Sequence, residues 1–471
     1  MMRNHFHPTV LRSYDIRGIV GITLNAEDAH AIGLGFASFV AETGGNRVAV
    51  GRDGRLSSPD LAEALIDGLV AGGMTVLDIG LGPTPMLYFA DQHHQTDGAI
   101  QVTGSHNPPT HNGFKMVLGH KPFFGDDIAG LGRRLATGVE TREGGSVERI
   151  EIADTYIDTM LEKSGIGKTG QDLNLLASQA LIWDCGNGAA GPIVTSLVRH
   201  LPGAHHVLFP EVDGTFPNHH PDPVDPETLD LLREAATERG AMMGIGFDGD
   251  GDRIGLIDAK GRQVPGDLLT AYLARGVIAR NPGADIIFDV KSSLAALDAV
   301  TAMGGRPSLW KTGHSHMKMR LKETEAPLAG EMSGHLFIAD NYFGFDDALF
   351  AALCILKEYA RCKESITSFL DNLPPVFATP ELRIPCADEE KFDVVRRVID
   401  DVVANPDQDI TGSADMDGIR VTGELGWWLV RASNTGAELV ARAEGRDENS
   451  RDQLKDRIRS RLSRAGLEWN G

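Results

Sequence analysis

An acidic loop, residues 247–253, carries the clearest chemical signal in this chain of 471 residues. Asp248, Asp250 and Asp252 alternate with glycines, so the three carboxylates repel one another unless a cation lies between them. Glycine lets the backbone curl until the oxygens converge, and hard oxygen ligands select Mg²⁺ or Ca²⁺. The apolar runs on both sides favour a built site over a solvated acidic turn. Because three carboxylates leave coordination positions open for a phosphate oxygen, the loop predicts Mg²⁺-dependent phosphoryl chemistry.

Other interpretations of this region do not hold. In an EF-hand, loop positions six and twelve are Gly and Glu, but here they are Arg253 and Ala259. The glycines at 244, 246 and 249 match a dinucleotide fingerprint, yet they lead into carboxylates that would repel a pyrophosphate. Calcium signalling and dinucleotide binding are therefore not expected.

A constrained serine loop, residues 103–109, is the second candidate. Ser105 lies between a glycine and a histidine, and two prolines follow and restrict the backbone. The run 98–102 predicts a short buried strand, and ligands bind at the carboxyl ends of strands in open α/β sheets. A lone Gly-Ser pair is more typical of a structural turn, so the meaning of Ser105 depends on the other loops.

Two further loops carry groups that suit a sugar phosphate. Residues 330–335 read Gly-Glu-Met-Ser-Gly-His, and such side chains can hydrogen-bond vicinal sugar hydroxyls. Residues 431–436 read Arg-Ala-Ser-Asn-Thr-Gly after a predicted strand, and they offer an arginine, hydroxyls and an amide, the groups that hold a phosphate. Taken alone, each of these loops is also typical of an ordinary polar turn. The stretch with Tyr14 and Arg17, taken alone, is likewise typical of an ordinary protein surface.

The composition and net charge of the chain restrict the class of protein, its partners and its location. Hydrophobic residues make up 42% and charged residues 24% of the chain, as in soluble globular proteins. A net charge of −21 argues against a nucleic-acid partner, and no apolar run approaches the roughly 20 residues of a membrane span. The N-terminus lacks a hydrophobic signal core and the four cysteines lack metal-ligand spacing, so we expect a cytoplasmic location. An anionic substrate then requires cations gathered locally.

The elements that must position these loops alternate between strand and helix. The N-terminal part predicts a helix, a strand, a second helix and a second strand, over residues 27–43, 47–50, 59–72 and 75–79. Strand–turn–helix units recur near residues 180–200 and 285–310, which indicates similar parallel α/β domains. After residue 375 short strands and a last amphipathic helix predict a smaller α+β domain. We therefore expect four domains, over residues 1–151, 152–262, 263–374 and 375–471.

Taken in order, the motifs resemble those of the α-D-phosphohexomutase superfamily, and of its bacterial phosphomannomutase/phosphoglucomutase group in particular. They are Tyr-Asp-Ile-Arg-Gly at 14–18, Thr-Gly-Ser-His-Asn-Pro-Pro at 103–109, Asp-Gly-Asp-Gly-Asp-Arg at 248–253, Gly-Glu-Met-Ser-Gly-His at 330–335 and Arg-Ala-Ser-Asn-Thr at 431–435. The resemblance spans nearly the whole chain, with a motif in each presumed domain. It implies an α/β fold of four domains around a central cleft, three similar mixed α/β domains and a smaller α+β C-terminal one.

The resemblance also implies an activity and its residues. The activity is reversible phosphoryl transfer between C1 and C6 of glucose or mannose phosphates, through phosphoserine and a hexose 1,6-bisphosphate that is both intermediate and activator. Mg²⁺ would be held by Ser105, Asp248, Asp250 and Asp252. The implied catalytic residues are Ser105, His106, Lys115, Arg17 and Arg253. The implied substrate contacts are Tyr14, Lys291, His314, Glu331, Ser333, His335, Arg431, Ser433, Asn434, Thr435 and Arg442.

Within this resemblance some choices stay open. Lys115 or His106 is the general acid/base, and Lys115 would need a lowered pKa, which neighbouring cations could provide. With Met332, the sequence of the loop at 330–335 resembles that of enzymes that accept mannose and glucose phosphates. Phosphoglucosamine mutase is the alternative within the family. A metal-dependent sugar phosphatase and a sugar-phosphate-binding protein with a silent serine are the alternatives outside it. The expected partners are small sugar phosphates, without nucleic acid or membrane, and the expected state is a monomer or small homo-oligomer.

Overall fold

The computed structural model describes residues 2–12, 14–166, 174–433 and 436–469. Its strands form four sheets that follow one another along the chain. The α-helices are Ala26–Glu42, Ser58–Ala71, Thr84–His94, Asp126–Thr137, Ala153–Ser164, Gly191–Leu197, Asp230–Glu238, Gly266–Arg280, Leu294–Ala302, His314–Thr324, Ala348–Cys362, Ile366–Asn372, Lys391–Ala404 and Glu448–Arg464. Over the described ranges, no helix has both the length and the apolar character needed to cross a membrane.

The first sheet places the serine loop at the end of a central strand. Its strands, in spatial order, are Ile16–Ile19, His111–Leu118, Gly98–Val102, Arg47–Arg52, Thr75–Leu81 and Ser146–Arg149, with Lys121–Pro122 added beside His111–Leu118. Gly98–Val102 pairs in parallel with Arg47–Arg52 and antiparallel with His111–Leu118. The serine loop joins the two antiparallel strands. The sequence prediction of a strand over 98–102 is confirmed, because the run is fully buried in the sheet.

The second and third sheets repeat this arrangement. The second contains Gln263–Val264, Ile254–Asp258, Met243–Phe247, Ala180–Asp184 and Ala204–Leu208, and the third contains Arg306–Trp310, Asp285–Asp289, Leu328–Gly330 and Leu336–Ile338. The acidic loop joins Met243–Phe247, which pairs in parallel with Ala180–Asp184, to the antiparallel Ile254–Asp258. Residues 330–335, called the sugar-type loop below, likewise follow the strand Leu328–Gly330. Three functional loops thus occupy the same place in three similar α/β units.

The C-terminal sheet is antiparallel throughout. Its strands are Phe377–Ala378, Leu382–Pro385, Glu438–Gly445, Gly426–Ala432, Ile419–Gly423 and Ile410–Ala414. Leu454, Ile458 and Leu462 of the last helix belong to the core of this unit, as their spacing predicts. The observed architecture confirms the predicted fold class of three α/β units and one smaller α+β unit.

The packing joins the first three units more extensively than the fourth. One continuous hydrophobic core contains residues of all three α/β units, among them Phe89, Trp183 and Leu353. The C-terminal unit has a core of its own and meets the third unit through a small cluster of Val290, Trp427 and Leu429. A cleft between these bodies is where the four loops can meet.

Candidate functional site

A cavity of about 630 Å³ lies where the four units meet. Each unit contributes side chains to its wall, and the predicted residues among them are Tyr14, His106, Arg253, Lys291, His314, Glu331, Ser333, His335, Arg431, Ser433 and Arg442. Ser105, Lys115 and the three aspartates are buried beside His106 and Arg253. Asn434 and Thr435 lie outside the described residues. The structure therefore brings the predicted loops together around one cleft.

Ser105 has an unusual backbone and two possible acceptors for its hydroxyl proton. It is 2% exposed and its φ is 47°, in the left-handed region that few residues other than glycine adopt. Its Oγ donates to Asp248 Oδ2 at 2.9 Å and lies 3.2 Å from His106 Nδ1. The hydroxyl is thus held between a carboxylate of the second unit and an imidazole of its own loop.

Arg55, which sequence reasoning missed, holds this backbone in place. The side chain is 1% exposed, and its guanidinium donates to four carbonyl oxygens of the loop: Ser105, Asn107 and Pro108 at 2.6 Å each and His111 at 2.9 Å. A Cβ atom at position 104 would lie 2.2 Å from Arg55 Nε, so only glycine fits there. The guanidinium supplies donors that a tight loop cannot obtain from its own backbone.

Asp53 and Arg17 make further contacts that hold the serine loop and Arg55 in place. Asp53 Oδ2 lies 3.2 Å from Arg55 Nε and accepts from Thr103 Oγ1 at 2.8 Å. Arg17 donates to the carbonyl oxygen of Gly104 and pairs with a nearby aspartate. Charged residues directly after the strand Arg47–Arg52 were the signal available in the sequence. Arg17 therefore supports the serine loop, and the catalytic role that the resemblance implies for it stays a prediction.

The three aspartates form a buried anionic cluster. Asp248, Asp250 and Asp252 are each 0% exposed, and one ligand oxygen from each lies within 4.8 Å of the others. Asp250 Oδ1 and Asp252 Oδ1 accept no hydrogen bond from the described residues. Burial, with repulsion from the other two carboxylates, raises the pKa of Asp248 well above its usual range. Buried oxygens of this kind fit a divalent metal ion.

A glycine allows the acidic loop to approach the serine loop. A Cβ atom at position 249 would lie 2.5 Å from the carbonyl oxygen of Ser105. Thr84, at the start of the helix Thr84–His94, reinforces the contact, because its N–H donates to the carbonyl of Asp250 at 2.8 Å and its hydroxyl to the Asp250 carboxylate. Sequence reasoning missed Thr84, since nothing local distinguishes it from an ordinary helix start.

Lys115 lies among the carboxylates. Its Nζ is 2.7 Å from Asp250 Oδ2 and also contacts Asp252. Burial by itself would lower the pKa of Lys115, but Asp250, Asp252 and the third aspartate outweigh burial and raise it. The expectation of a lowered pKa is wrong, because anions and not cations are its closest neighbours. Lys115 is therefore a fixed positive charge beside the serine.

His106 has the opposite character. Burial, followed by the positive charges of Arg253, Arg17 and Lys115, lowers the pKa of its imidazole well below the usual range. A neutral imidazole can accept a proton, and Nδ1 lies within reach of the Ser105 hydroxyl. Of the two predicted acid/base candidates, His106 is the one with a neutral nitrogen beside the Ser105 hydroxyl.

The sugar-type loop is a connected set of donors and acceptors. Glu331 Oε2 accepts from His335 Nδ1 at 2.9 Å and from Ser333 Oγ at 3.1 Å, and its other oxygen accepts from the N–H of Gly313. Burial opposes ionisation, but His335 and the N–H of Gly313 hold the pKa of Glu331 at about 2. Burial and Arg253 lower the pKa of His335, but Asp252 and Glu331 raise it to about 9. The loop thus presents a carboxylate acceptor and a cationic donor.

Arginines of the C-terminal unit face the same cavity. Arg431 Nε donates to Asp417 Oδ2 at 3.0 Å, while its Nη2 is buried without a hydrogen-bond partner among the described residues. Asp417 Oδ2 also accepts from the N–H of Thr312 in the third unit at 3.1 Å. Arg442 Nη1 donates to the carbonyl of Lys291 at 3.0 Å. Guanidinium groups with buried free donors are suited to binding an anion.

Family models match each of the four units. Models described as phosphoglucomutase/phosphomannomutase alpha/beta/alpha domains I, II and III match residues 9–137, 154–261 and 265–377, and a model of the C-terminal domain matches residues 381–461. Together they cover most of the chain, in the order in which the four sheets follow one another.

Whole-chain relatives agree with these matches. A phosphomannomutase/phosphoglucomutase of Pseudomonas putida is 42% identical over 460 residues, covering 98% of this chain and 96% of the relative. A phosphoglucomutase of Neisseria gonorrhoeae is 39% identical over 469 residues, covering 98% of both chains. The crystal structure of a phosphoglucomutase/phosphomannomutase family protein from Burkholderia thailandensis has a TM-score of 0.90 and 39% identity, covering 98% of each chain.

Proposed function

The chain belongs to the phosphoglucomutase/phosphomannomutase family, and from that premise we propose how its residues transfer a phosphoryl group. The chain is a hexose phosphate mutase, an isomerase. The observation that carries the proposal is the position of Ser105, whose Oγ lies 2.9 Å from Asp248 Oδ2 at a cavity that all four units line.

The proposed reaction moves a phosphoryl group between C1 and C6 of glucose or mannose phosphates. Phosphorylated Ser105 gives its phosphoryl group to the free hydroxyl of the substrate: the bond from Ser105 Oγ to phosphorus breaks, and a bond from the sugar oxygen to phosphorus forms. The sugar hydroxyl gives its proton to a base, and the departing Ser105 Oγ takes up a proton in its place, so no proton is gained or lost overall. The resulting hexose 1,6-bisphosphate turns over within the cleft and returns its other phosphoryl group to Ser105, so no phosphate is consumed.

Positive charge beside Ser105 stabilises a loose phosphoryl-transfer transition state. In such a transition state, positioning of the reacting oxygens and neutralisation of the phosphoryl charge matter most. Mg²⁺, held by Asp248, Asp250, Asp252 and phosphorylated Ser105, would supply neutralisation when bound. Lys115 adds a permanent positive charge, because the neighbouring carboxylates keep it protonated. Arg253, which lines the cavity, adds a second.

Proton transfer at the serine falls to His106 in this proposal. When Ser105 accepts a phosphoryl group from the bisphosphate, its Oγ must lose a proton, and His106 Nδ1 is 3.2 Å away. The lowered pKa of His106 keeps the imidazole neutral and ready to accept. The same imidazolium then returns the proton in the reverse half-reaction. Lys115 takes part by its charge alone.

The sugar and the second phosphate are held away from the serine. Glu331 and Ser333 bind sugar hydroxyls, and Lys291, His314 and His335 line the same wall. The non-reacting phosphate is proposed to bind at Arg431, Ser433, Arg442 and the neighbouring Asn434 and Thr435. The substrate must present C1 and C6 to Ser105 in turn, so both loops accept it in two orientations.

Two measurements test this function. Intact mass spectrometry of protein purified from its host should show a phosphate adduct that maps to Ser105. A coupled assay with glucose 1-phosphate or mannose 1-phosphate, with a trace of the bisphosphate, should show isomerisation and give the preference. Glucosamine phosphates test the related phosphoglucosamine activity. Release of free phosphate at a rate comparable to isomerisation would instead support the sugar phosphatase.

Location and assembly also stay proposals. We propose a cytoplasmic location, which the sugar phosphate substrates and the four free cysteines support. A monomer or small homo-oligomer suffices for the reaction, because one chain supplies every group named above. Sedimentation of the purified enzyme and fractionation of the host cell would test the two proposals.

A further inference from the structure

A second group of ligand atoms lies beside the aspartate cluster and shares one residue with it. One ligand atom from each of Asp252, His335 and Asp346 lies within 4.8 Å of the other two, and all three residues are buried. They come from the acidic loop, the sugar-type loop and the segment before the helix Ala348–Cys362. Two carboxylates and an imidazole form a mixed donor set, unlike the all-oxygen cluster next to it.

Two carboxylate oxygens of this group could still accept a hydrogen bond or bind a cation. Asp252 Oδ1 and Asp346 Oδ2 are buried, and neither accepts a hydrogen bond from a residue that the structure describes. Their other oxygens are occupied: Lys115 contacts Asp252 Oδ2, and Lys318 Nζ lies 2.8 Å from Asp346 Oδ1. Buried carboxylate oxygens without partners are rare, because leaving one unpaired is costly. A ligand that supplies positive charge would satisfy both.

The imidazole is oriented as a metal ligand would be. His335 Nδ1 is 2.9 Å from Glu331 Oε2, and a metal-binding histidine commonly donates its second N–H to a carboxylate in this way. Its Nε2 is 3.5 Å from Asp252 Oδ1 and is also contacted by Arg253 Nε at 3.3 Å. Nε2 is thus directed at the unpaired oxygen of Asp252.

A second imidazole flanks the group. His314 Nδ1 lies 3.4 Å from Asp346 Oδ2 and is buried without a hydrogen-bond partner in the described part of the chain. Ligand atoms in a tetrahedral zinc site are about 3.3 Å apart, since the metal–ligand bonds are about 2.0–2.1 Å long. The distance from His335 Nε2 to Asp252 Oδ1 is 3.5 Å and that from His314 Nδ1 to Asp346 Oδ2 is 3.4 Å, both close to that value.

We propose that Asp252, His335 and Asp346 form a second cation site, selective for a transition-metal ion such as Zn²⁺, which adjoins the Mg²⁺ position and shares Asp252 with it. Neutral imidazole is a good ligand for Zn²⁺, so His335 releases its Nε2 proton when the ion binds, whereas Mg²⁺ prefers oxygen ligands and retains water. His314 adjoins the group at Asp346 and is not counted among its three ligands. Because the site shares Asp252 with the aspartate cluster and takes His335 from the sugar-type loop, its occupation inhibits phosphoryl transfer.

Metal binding to the full chain tests the proposal without depending on mutase activity. With Mg²⁺ held in large excess, titration with Zn²⁺ against a chromophoric chelator should show one tightly bound ion per chain. Asp346→Asn should weaken that binding by about tenfold or more. Asp250→Asn is the matched control, because it removes a ligand of the aspartate cluster and should leave the Zn²⁺ affinity nearly unchanged. Circular dichroism shows whether each variant is folded.

X-ray absorption spectroscopy at the zinc edge identifies the ligand atoms around Zn²⁺ bound to the wild-type protein. The expected spectrum contains imidazole nitrogen in the first coordination shell. A shell of oxygen alone would overturn the proposal, and so would the absence of Zn²⁺ binding in excess Mg²⁺. Loss of Zn²⁺ binding in Asp250→Asn together with full binding in Asp346→Asn would also overturn it, because that result places the ion in the aspartate cluster.

Discussion

Ser105 Oγ and Asp248 Oδ2 lie 2.9 Å apart, although 143 positions separate the two residues along the chain. Each stands in the turn between a parallel strand and its antiparallel neighbour, one in the first sheet and one in the second. Two copies of one topological position thus face each other across the cleft. A nucleophile and a metal-binding carboxylate meet because similar units pack with these turns inward.

Ser105→Ala should leave the protein folded and reduce turnover by about a thousandfold or more, since the phosphoryl carrier is lost. The coupled isomerisation assay measures the loss, and circular dichroism checks the fold. Ser178→Ala, a change at an exposed serine, is the control. Near-normal activity of Ser105→Ala would refute the role of Ser105.

Asp250→Asn should weaken the activation of the enzyme by Mg²⁺, because one of three charged ligands becomes neutral. We expect the Mg²⁺ concentration for half-maximal activity to rise by about tenfold or more. Asp230→Asn, at an exposed helix position, should have no effect on the titration. An unaltered titration curve for Asp250→Asn would contradict the assignment of the cluster.

Arg55→Ala should lower both stability and activity, although Arg55 does not line the cavity. Four carbonyl oxygens of the serine loop would lose their donor. Buried groups left unpaired cost about 1–3 kcal/mol each, and partial hydration would reduce the total. The urea midpoint should fall, and amide exchange should quicken over residues 103–113. Wild-type exchange in that segment would show that Arg55 does not hold the loop.

Asp417→Asn should raise KM for the sugar phosphate more than it changes kcat. The carboxylate of Asp417 holds Arg431 Nε and the N–H of Thr312, so it orients a phosphate anchor and joins the third and fourth units. Steady-state kinetics on both hexose 1-phosphates measure the effect. Asp415→Asn, two positions earlier and exposed, is the control. A fall in kcat with unchanged KM would mean that Asp417 acts on a step other than phosphate binding.

Asp347 should make stability depend on pH. Burial raises its pKa to about 6, despite hydrogen bonds from the N–H of Phe350 and from Tyr342 and Tyr156. The folded state therefore binds this proton more tightly than the unfolded state. Stability from this group is fully present below pH about 4 and is lost as pH rises through about 6, a change of roughly 3 kcal/mol.

Asp347→Asn should remove that contribution. Urea midpoints measured between pH 4 and 7 should decline less with rising pH in the variant than in the wild-type protein. A parallel decline in both proteins would show that another group titrates in this range. The reaction itself is not required for this measurement.

Local patterns in the sequence determined much of the architecture. The continuous apolar run at Gly98–Val102 predicted a buried strand, and the spacing of Leu454, Ile458 and Leu462 predicted the buried face of the last helix. The alternating aspartates and glycines identified the anionic loop, because few functions other than metal binding require three carboxylates at such spacing. These features depend on neighbours within a few positions of one another, so the sequence alone suffices to predict them. The domain limits at 151, 262 and 374 stay predictions.

Only the tertiary structure decided which groups surround each functional side chain. Arg55, Thr84 and Asp417 contact the site from other elements or units, and among them only Arg55 has a local signal, its position just after the strand Arg47–Arg52. The protonation of Lys115 could not be predicted either, because a pKa follows the charges nearest in space. Two of those charges are the carboxylates of Asp250 and Asp252, 135 and 137 positions away in the chain. Periodicity and glycine placement act along the chain, whereas electrostatics and hydrogen bonding act through space, and the packing of four units sets those distances.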